Sequence, residues 1–240
     1  MLEKIRKDKI LFLDIETVPQ SDQWENLSDK MQSLWEKKSK GLRADEESPE
    51  DVYQKAGIYA EFGKVICVSV GAFAQKGDQY IFRMKSYASK DEKQLLLEVA
   101  AMLRKYSGEG ERNLCAHNGK DFDFPYMARR MLINGIKLPG ILDTAGKKPW
   151  EVNHLDTMEL WKFGAYRHYA SLDLLTTIFG IPTPKDDIDG SQVAQVFYEE
   201  NDLERIVQYC EKDVLAIAQL YLKWRGEPLL NDDQLVIIKE

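Results

Sequence analysis

The chain has 240 residues, 44% of them hydrophobic, enough for one sizeable domain with a real core. Its 33 lysines and arginines against 40 acidic residues leave a net charge of −7, which argues against a protein that coats nucleic acid by electrostatics alone. A metal-dependent enzyme is less constrained by that charge, because bound divalent cations offset negative groups at the site itself.

No apolar stretch approaches the roughly 20 residues of a membrane-spanning helix. The charged segment Met1–Lys9 runs straight into a strand-like run, so it does not read as a secretory signal. Cys67, Cys115 and Cys210 are isolated, odd in number and free of C-x-x-C spacing. That pattern argues against a disulfide framework and a zinc site, and it fits a reducing cytoplasm.

The first element is a buried strand, Lys9-Ile10-Leu11-Phe12-Leu13, which delivers Asp14 at its end. Asp14 and Glu16 alternate along it and so share a face, where two carboxylates repel unless a cation sits between them. A surface D-x-E at a strand end would account for the same letters. Residues 21–57 are polar and charge-rich, with Leu27, Met31, Leu34 and Trp35 at helical spacing. They predict one amphipathic helix followed by a loop over 41–50.

Residues 64–70 and 79–84 read as paired strands about the turn-forming Gln75-Lys76-Gly77-Asp78. A helix is expected from Asp91 to Tyr106, then a strand over 113–117 that leads to Asn118. A further helix is expected over 123–133, opened by Phe122-Asp123-Phe124-Pro125-Tyr126. An aspartate there can simply cap a helix with proline in its first turn, a role that Asp121 fits as well as Asp123. From Leu155 onward helices are expected over 156–163, 171–179, 190–200 and 202–224.

In the last helix Leu203, Ile206, Val207, Cys210, Val214, Ile217, Tyr221 and Trp224 form one apolar stripe. Tyr209 and Asp213 lie one above the other on its flank, while Arg205, Glu211 and Lys212 are expected to point away. The bland alternative is a Tyr–Asp hydrogen bond on a half-exposed helix. Asp156 reads as a helix cap at a strand-to-helix junction, and His117 and His154 lack partners at metal-ligand spacing.

Taken together, these segments resemble the DEDD superfamily of 3′–5′ exonucleases, in its tyrosine subclass. The nearest likeness is to the proofreading domains of family-B DNA polymerases and the stand-alone bacterial proteins related to them. Asp14 and Glu16 match its D-x-E motif. Asn118, Phe122, Asp123, Pro125 and Tyr126 match N-x₃-F-D-x-P-Y, and Tyr209 and Asp213 match Y-x₃-D. His168 and Asp173 form a decoy, because H-x₄-D is the spacing of the histidine subclass. Asp173, however, is placed as an early-turn acid of its own helix.

The resemblance implies an α/β, ribonuclease H-like fold with a five-stranded mixed sheet flanked by helices. The active site would lie at the end of the first strand. The whole chain would be one exonuclease domain with a helical or loop insertion at about 20–62, a tract without counterpart in the polymerase domains. It implies metal-dependent 3′–5′ hydrolysis of single-stranded or frayed nucleic acid, DNA favoured and RNA possible, with release of nucleoside monophosphates. Asp14, Glu16, Asp123 and Asp213 would hold two Mg²⁺ or Mn²⁺ ions. Tyr209 would position the attacking water, since its ordinary pKa near 10 makes it a poor base. Thr17, Asn118 and Phe122 would contact the terminal nucleotide. A non-catalytic relative is expected to lack one or more of the acids, and all four are present.

Overall fold

The computed structural model of the chain describes residues 5–108, 111–182 and 188–238, so the first residues of the charged N-terminus lie outside it. Strands β1 (Ile10–Pro19), β2 (Gly63–Lys76), β3 (Gln79–Ala88), β4 (Asn113–Ala116), β5 (Leu155–Asp156) and β6 (Leu235–Ile237) form one sheet in the order β5-β4-β1-β2-β3-β6. β1 runs parallel to β4 and antiparallel to β2, so the sheet is mixed. The expectation of five strands is corrected to six by β6, a three-residue edge strand parallel to β3. A segment that short carries too little alternation to declare itself in the sequence.

Helices α2 (Glu92–Ser107) and α3 (Asp123–Ile133) cover one face. Their Leu95, Val99, Met127 and Met131 pack with Leu11, Leu13 and Ile15 of β1. Helix α7 (Leu203–Trp224) covers the other, where Val214, Ile217 and Tyr221 meet Ile10 and Phe12. The opposite destinations of odd and even residues of β1 follow from the two-residue period of a strand. The stripe read along the last helix is the buried one, with Ile206, Cys210, Val214, Ile217 and Tyr221 fully buried. No helix among the described residues is long and apolar enough to cross a membrane.

Between β1 and β2 the tract 20–62 folds around Trp35, whose ring meets those of Tyr53 and Phe62 at 5.9 and 5.3 Å. Its helix α1 (Asp29–Ser39) starts after Leu27, capped by Ser28, and Leu34 is exposed, so the apolar face is narrower than its spacing suggests. Two contacts tie this tract to α3. The Tyr126 hydroxyl donates to the Gly57 carbonyl at 2.7 Å, and Arg130 donates to the Ala60 carbonyl at 2.8 Å. Arg130 also pairs with buried Glu92, which accepts the Val65 amide at 2.8 Å.

Towards the C-terminus, α4 (Thr157–Trp161), α5 (Leu172–Phe179) and α6 (Val193–Gln195) precede α7. The helix expected over 190–200 is α6 continued by a π-helical turn, Val196–Glu200, and it starts only at Val193.

Candidate active site

β1 does not end at Asp14; it continues to Pro19 because β2 goes on pairing with it. Only the pairing with β4 stops, at Phe12. The carboxylates therefore lie mid-strand, beyond the point where β1 loses one of its two neighbours. Asp14 and Glu16 share the even-numbered face, the one turned to α7. Opposite them β2 carries a bulge. Glu16 pairs with Cys67 and Thr17 with Val65, which leaves Ile66 as the extra residue. Ile66 and Cys67 both pack into the cluster that holds Ile206 and Cys210 of α7.

From α7, the Cys210 thiol lies 3.4 Å from Oδ2 of Asp14 and 3.4 Å from its carbonyl oxygen. One ligand-type atom from each of Asp14, Glu16 and Cys210 falls within 4.8 Å of the others. Burial pushes the Cys210 thiol up, so it stays protonated and serves Asp14 as a donor. Sulfur is also a poor ligand for a hard cation. One turn further, Asp213 lies beside Tyr209, whose hydroxyl donates to the Asp213 carboxylate. The Tyr–Asp bond and the convergence of both residues on the acidic cluster are thus both present.

Asp123 is the first residue of α3 and is buried. The cap position is held by Phe122, and Asp121 is exposed. Besides its own amide, the Asp123 carboxylate accepts the backbone amide of Ile15, the residue between Asp14 and Glu16. That bond fixes the second motif against the first.

The electrostatics follow from this crowding. Burial raises Asp14 well above the usual carboxylate range, and the charges of Asp213, Glu16 and Asp123 raise it further. Glu16 is raised by burial, then by Asp213, Cys67 and Asp123. Asp123 is held at about 7, again chiefly by burial. No lysine or arginine among the described residues figures in the charges acting on Asp14 or Glu16. Crowded hard oxygen donors that repel one another suit Mg²⁺ or Mn²⁺. Burial and the three neighbouring acids also lift Tyr209, so its phenol remains protonated and acts as a donor rather than as a base.

Asp213 acts on all three other acids, whereas Asp173 figures on none of them. His168 is exposed, and α5 is capped by Ser171. The decoy pair is therefore not in the cluster. Glu211 corrects an expectation: it does not point away, but accepts the Ser86 hydroxyl of β3 at 2.7 Å.

The second-motif loop is shaped by a residue whose part the sequence did not disclose. Asp156 does cap α4, accepting the amides of Met158 and Glu159 at 2.9 and 3.3 Å. It also accepts those of Asn118 and Lys120, each at 3.0 Å, and so binds the loop to β5. Asn118 takes a left-handed backbone, φ 64°. A Cβ on Gly119 would stand 2.4 Å from the Ala116 side chain, so only glycine fits. Asp156→Ala would strip four amides of their acceptor. It is expected to cost about 2–4 kcal/mol in urea unfolding and to speed hydrogen exchange at 118–120. A change below about 0.5 kcal/mol would contradict this role.

Of the nucleotide-contact candidates, Thr17 is half-buried and hydrogen-bonded to the Tyr126 hydroxyl. Phe122 is half-buried with its ring 5.2 Å from that of Tyr126. Asn118 is half-buried beside them in sequence. Both histidines serve the fold. His117 bridges Thr157 and the Ala170 carbonyl, and His154 bridges Leu114 and Ile141.

A family profile described as a predicted 3′-5′ exonuclease related to the exonuclease domain of PolB matches residues 58–228, well over half of the chain. The chain belongs to that family. The matched stretch includes Asn118, Phe122, Asp123, Tyr209 and Asp213 and begins beyond Asp14 and Glu16. Among solved structures, the family B DNA polymerase from the hyperthermophilic archaeon Pyrobaculum calidifontis superposes with a TM-score of 0.54 at 15% identity. The superposition covers 90% of this chain and 24% of the polymerase, so the chain spans only a part of that protein's length. At that identity the likeness establishes the fold, an α/β ribonuclease H-like sheet flanked by helices.

Proposed function

We propose that this chain is a 3′–5′ exonuclease that shortens single-stranded or frayed nucleic acid, DNA in preference to RNA, releasing nucleoside monophosphates. The observation that carries the reading is the set Asp14, Glu16, Asp123 and Asp213, with Glu16 and Asp123 buried and the charge of Asp213 raising the other three. Two Mg²⁺ or Mn²⁺ ions held there would stabilise the attacking and leaving oxygens of the phosphodiester. Asp14, Glu16 and Asp213 would hold one ion, with Asp14 also reaching the second beside Asp123.

The protein's own groups then do the positioning. Cys210 fixes the Asp14 carboxylate from beneath. With the Asp213 carboxylate committed to an ion, the protonated Tyr209 hydroxyl would orient the attacking water by hydrogen bonding. Thr17, Asn118 and Phe122 line the space for the terminal nucleotide. The preference for DNA is supported by the family's relation to a DNA polymerase domain.

The direct test uses matched DNA and RNA oligonucleotides labelled at the 5′ end. With Mg²⁺ or Mn²⁺ the expected result is a ladder of products shorter by single nucleotides from the 3′ end, faster on DNA and stopped by EDTA. Internal cuts, or no metal-dependent shortening of either strand, would overturn the proposal.

A further inference from the structure

The segment 162–170, between α4 and α5, is built unlike the rest of this acidic surface. Phe163, Tyr166 and Tyr169 are 87%, 89% and 72% exposed. Large aromatic rings left in water together mark a surface that meets something. Phe163 also takes a left-handed backbone, φ 45°, followed by Gly164 at φ 84°. A bulky residue adopts that conformation at a cost, here while its ring is displayed outward.

Cations are interleaved with the rings. Lys162 Nζ lies 4.5 Å from the Tyr169 ring centre, and the Arg167 guanidinium lies 5.9 Å from that of Tyr166. Between Glu159 and Asp173 there is no acidic residue, in a chain whose net charge is −7. The segment is also tied to the acidic cluster's end of the sheet. Its Ala170 carbonyl accepts His117 Nε2 at 2.9 Å, and His117 directly precedes Asn118 of the second motif. Trp161, beside Phe163, anchors the start of the segment by stacking on Trp224 of α7.

Exposed rings alternating with positive charge, bonded to the residue that leads into the second motif, match the chemistry of a single nucleic-acid strand. Each base offers a face to stack and each phosphate a charge to pair. We propose that the 162–170 segment is a stacking platform for the strand on the 5′ side of the nucleotide being removed. Bases rest on Phe163, Tyr166 and Tyr169, and phosphates meet Lys162 and Arg167. The proposal deepens the exonuclease reading and rests on it for the identity of the ligand.

The test compares the wild type with Phe163→Ala/Tyr166→Ala/Tyr169→Ala and with Lys162→Gln/Arg167→Gln. Binding of a fluorescent thymidine dodecanucleotide is followed by anisotropy in Ca²⁺. The aromatic variant should bind about 10- to 100-fold more weakly. The charge variant should lower the slope of log affinity against log salt by about 1.4, two phosphates' worth for a single strand. The ratio of kcat/KM on the dodecanucleotide to that on a dinucleotide should fall in parallel. Single Tyr166→Ala, at the most exposed of the three rings, should show a smaller loss in the same direction if the triple variant proves unstable.

Wild-type affinity in both the triple and single variants would overturn the platform. So would a wild-type dimer that the aromatic variant dissolves, which would assign the rings to self-association. Segment-dependent strand binding without any cleavage would support the platform while removing the exonuclease reading.

Discussion

Asp213→Asn should lower metal-dependent 3′ trimming by about three orders of magnitude, on the order of 4 kcal/mol of transition-state stabilisation, and Asp173→Asn should leave it within about twofold. The amide keeps the shape and the Tyr209 hydrogen bond but withdraws the one charge that acts on Asp14, Glu16 and Asp123 together. Asp14→Asn should behave like Asp213→Asn, because its carboxylate lies at the centre of the same set. Rates on a labelled oligonucleotide at saturating Mn²⁺ decide the matter. The reverse pattern, with Asp173→Asn dead and Asp213→Asn active, would transfer the third motif to the decoy pair.

The second large effect concerns the protein without divalent ions. Burial holds the Asp123 carboxyl at about 7 in the folded chain, far above the ordinary value near 4 of the unfolded one. Between those limits the folded state binds more protons than the unfolded state, so stability falls as pH rises, and the loss is complete above the folded value. Asp14 and Glu16 are shifted upward as well and add to the same slope. Asp123→Asn can still accept the Ile15 amide yet carries no charge. In EDTA near neutral pH it should be more stable than the wild type by about 2–4 kcal/mol, with a melting temperature higher by roughly 5–15 °C. The difference should shrink as the pH approaches 4. Adding Mn²⁺ at neutral pH should raise the wild-type melting temperature more than the variant's, since ion binding stabilises only the folded site. Equal melting curves in EDTA across that pH range would refute the argument.

Both predictions use residues that the sequence already exposed, and the reason is local geometry. A two-residue period places Asp14 with Glu16, a four-residue spacing places Tyr209 with Asp213, and both survive in the structure. What the sequence hid is cross-chain. Asp156 looks like a helix cap and is one, but its bonds to Asn118 and Lys120 come from a neighbouring strand. Cys210 lies in an apolar stripe, and only the packing of α7 onto β1 brings its thiol to Asp14. Glu211 sits on a flank that looks solvated until β3 supplies Ser86. The extension of β1 to Pro19 depends on β2, a strand separated from it by 43 residues, and no short-range pattern conveys it.

Helix α3 links two parts of the molecule that otherwise look separate. Its first residue, Asp123, reaches the amide of Ile15, and its fourth and eighth, Tyr126 and Arg130, grip the carbonyls of Gly57 and Ala60. A short rigid rod gripped along its length cannot shift at one end alone. Displacing or trimming the tract before β2 must therefore tilt the rod and drag the carboxylate away from its neighbours, making that tract a splint for the acidic cluster.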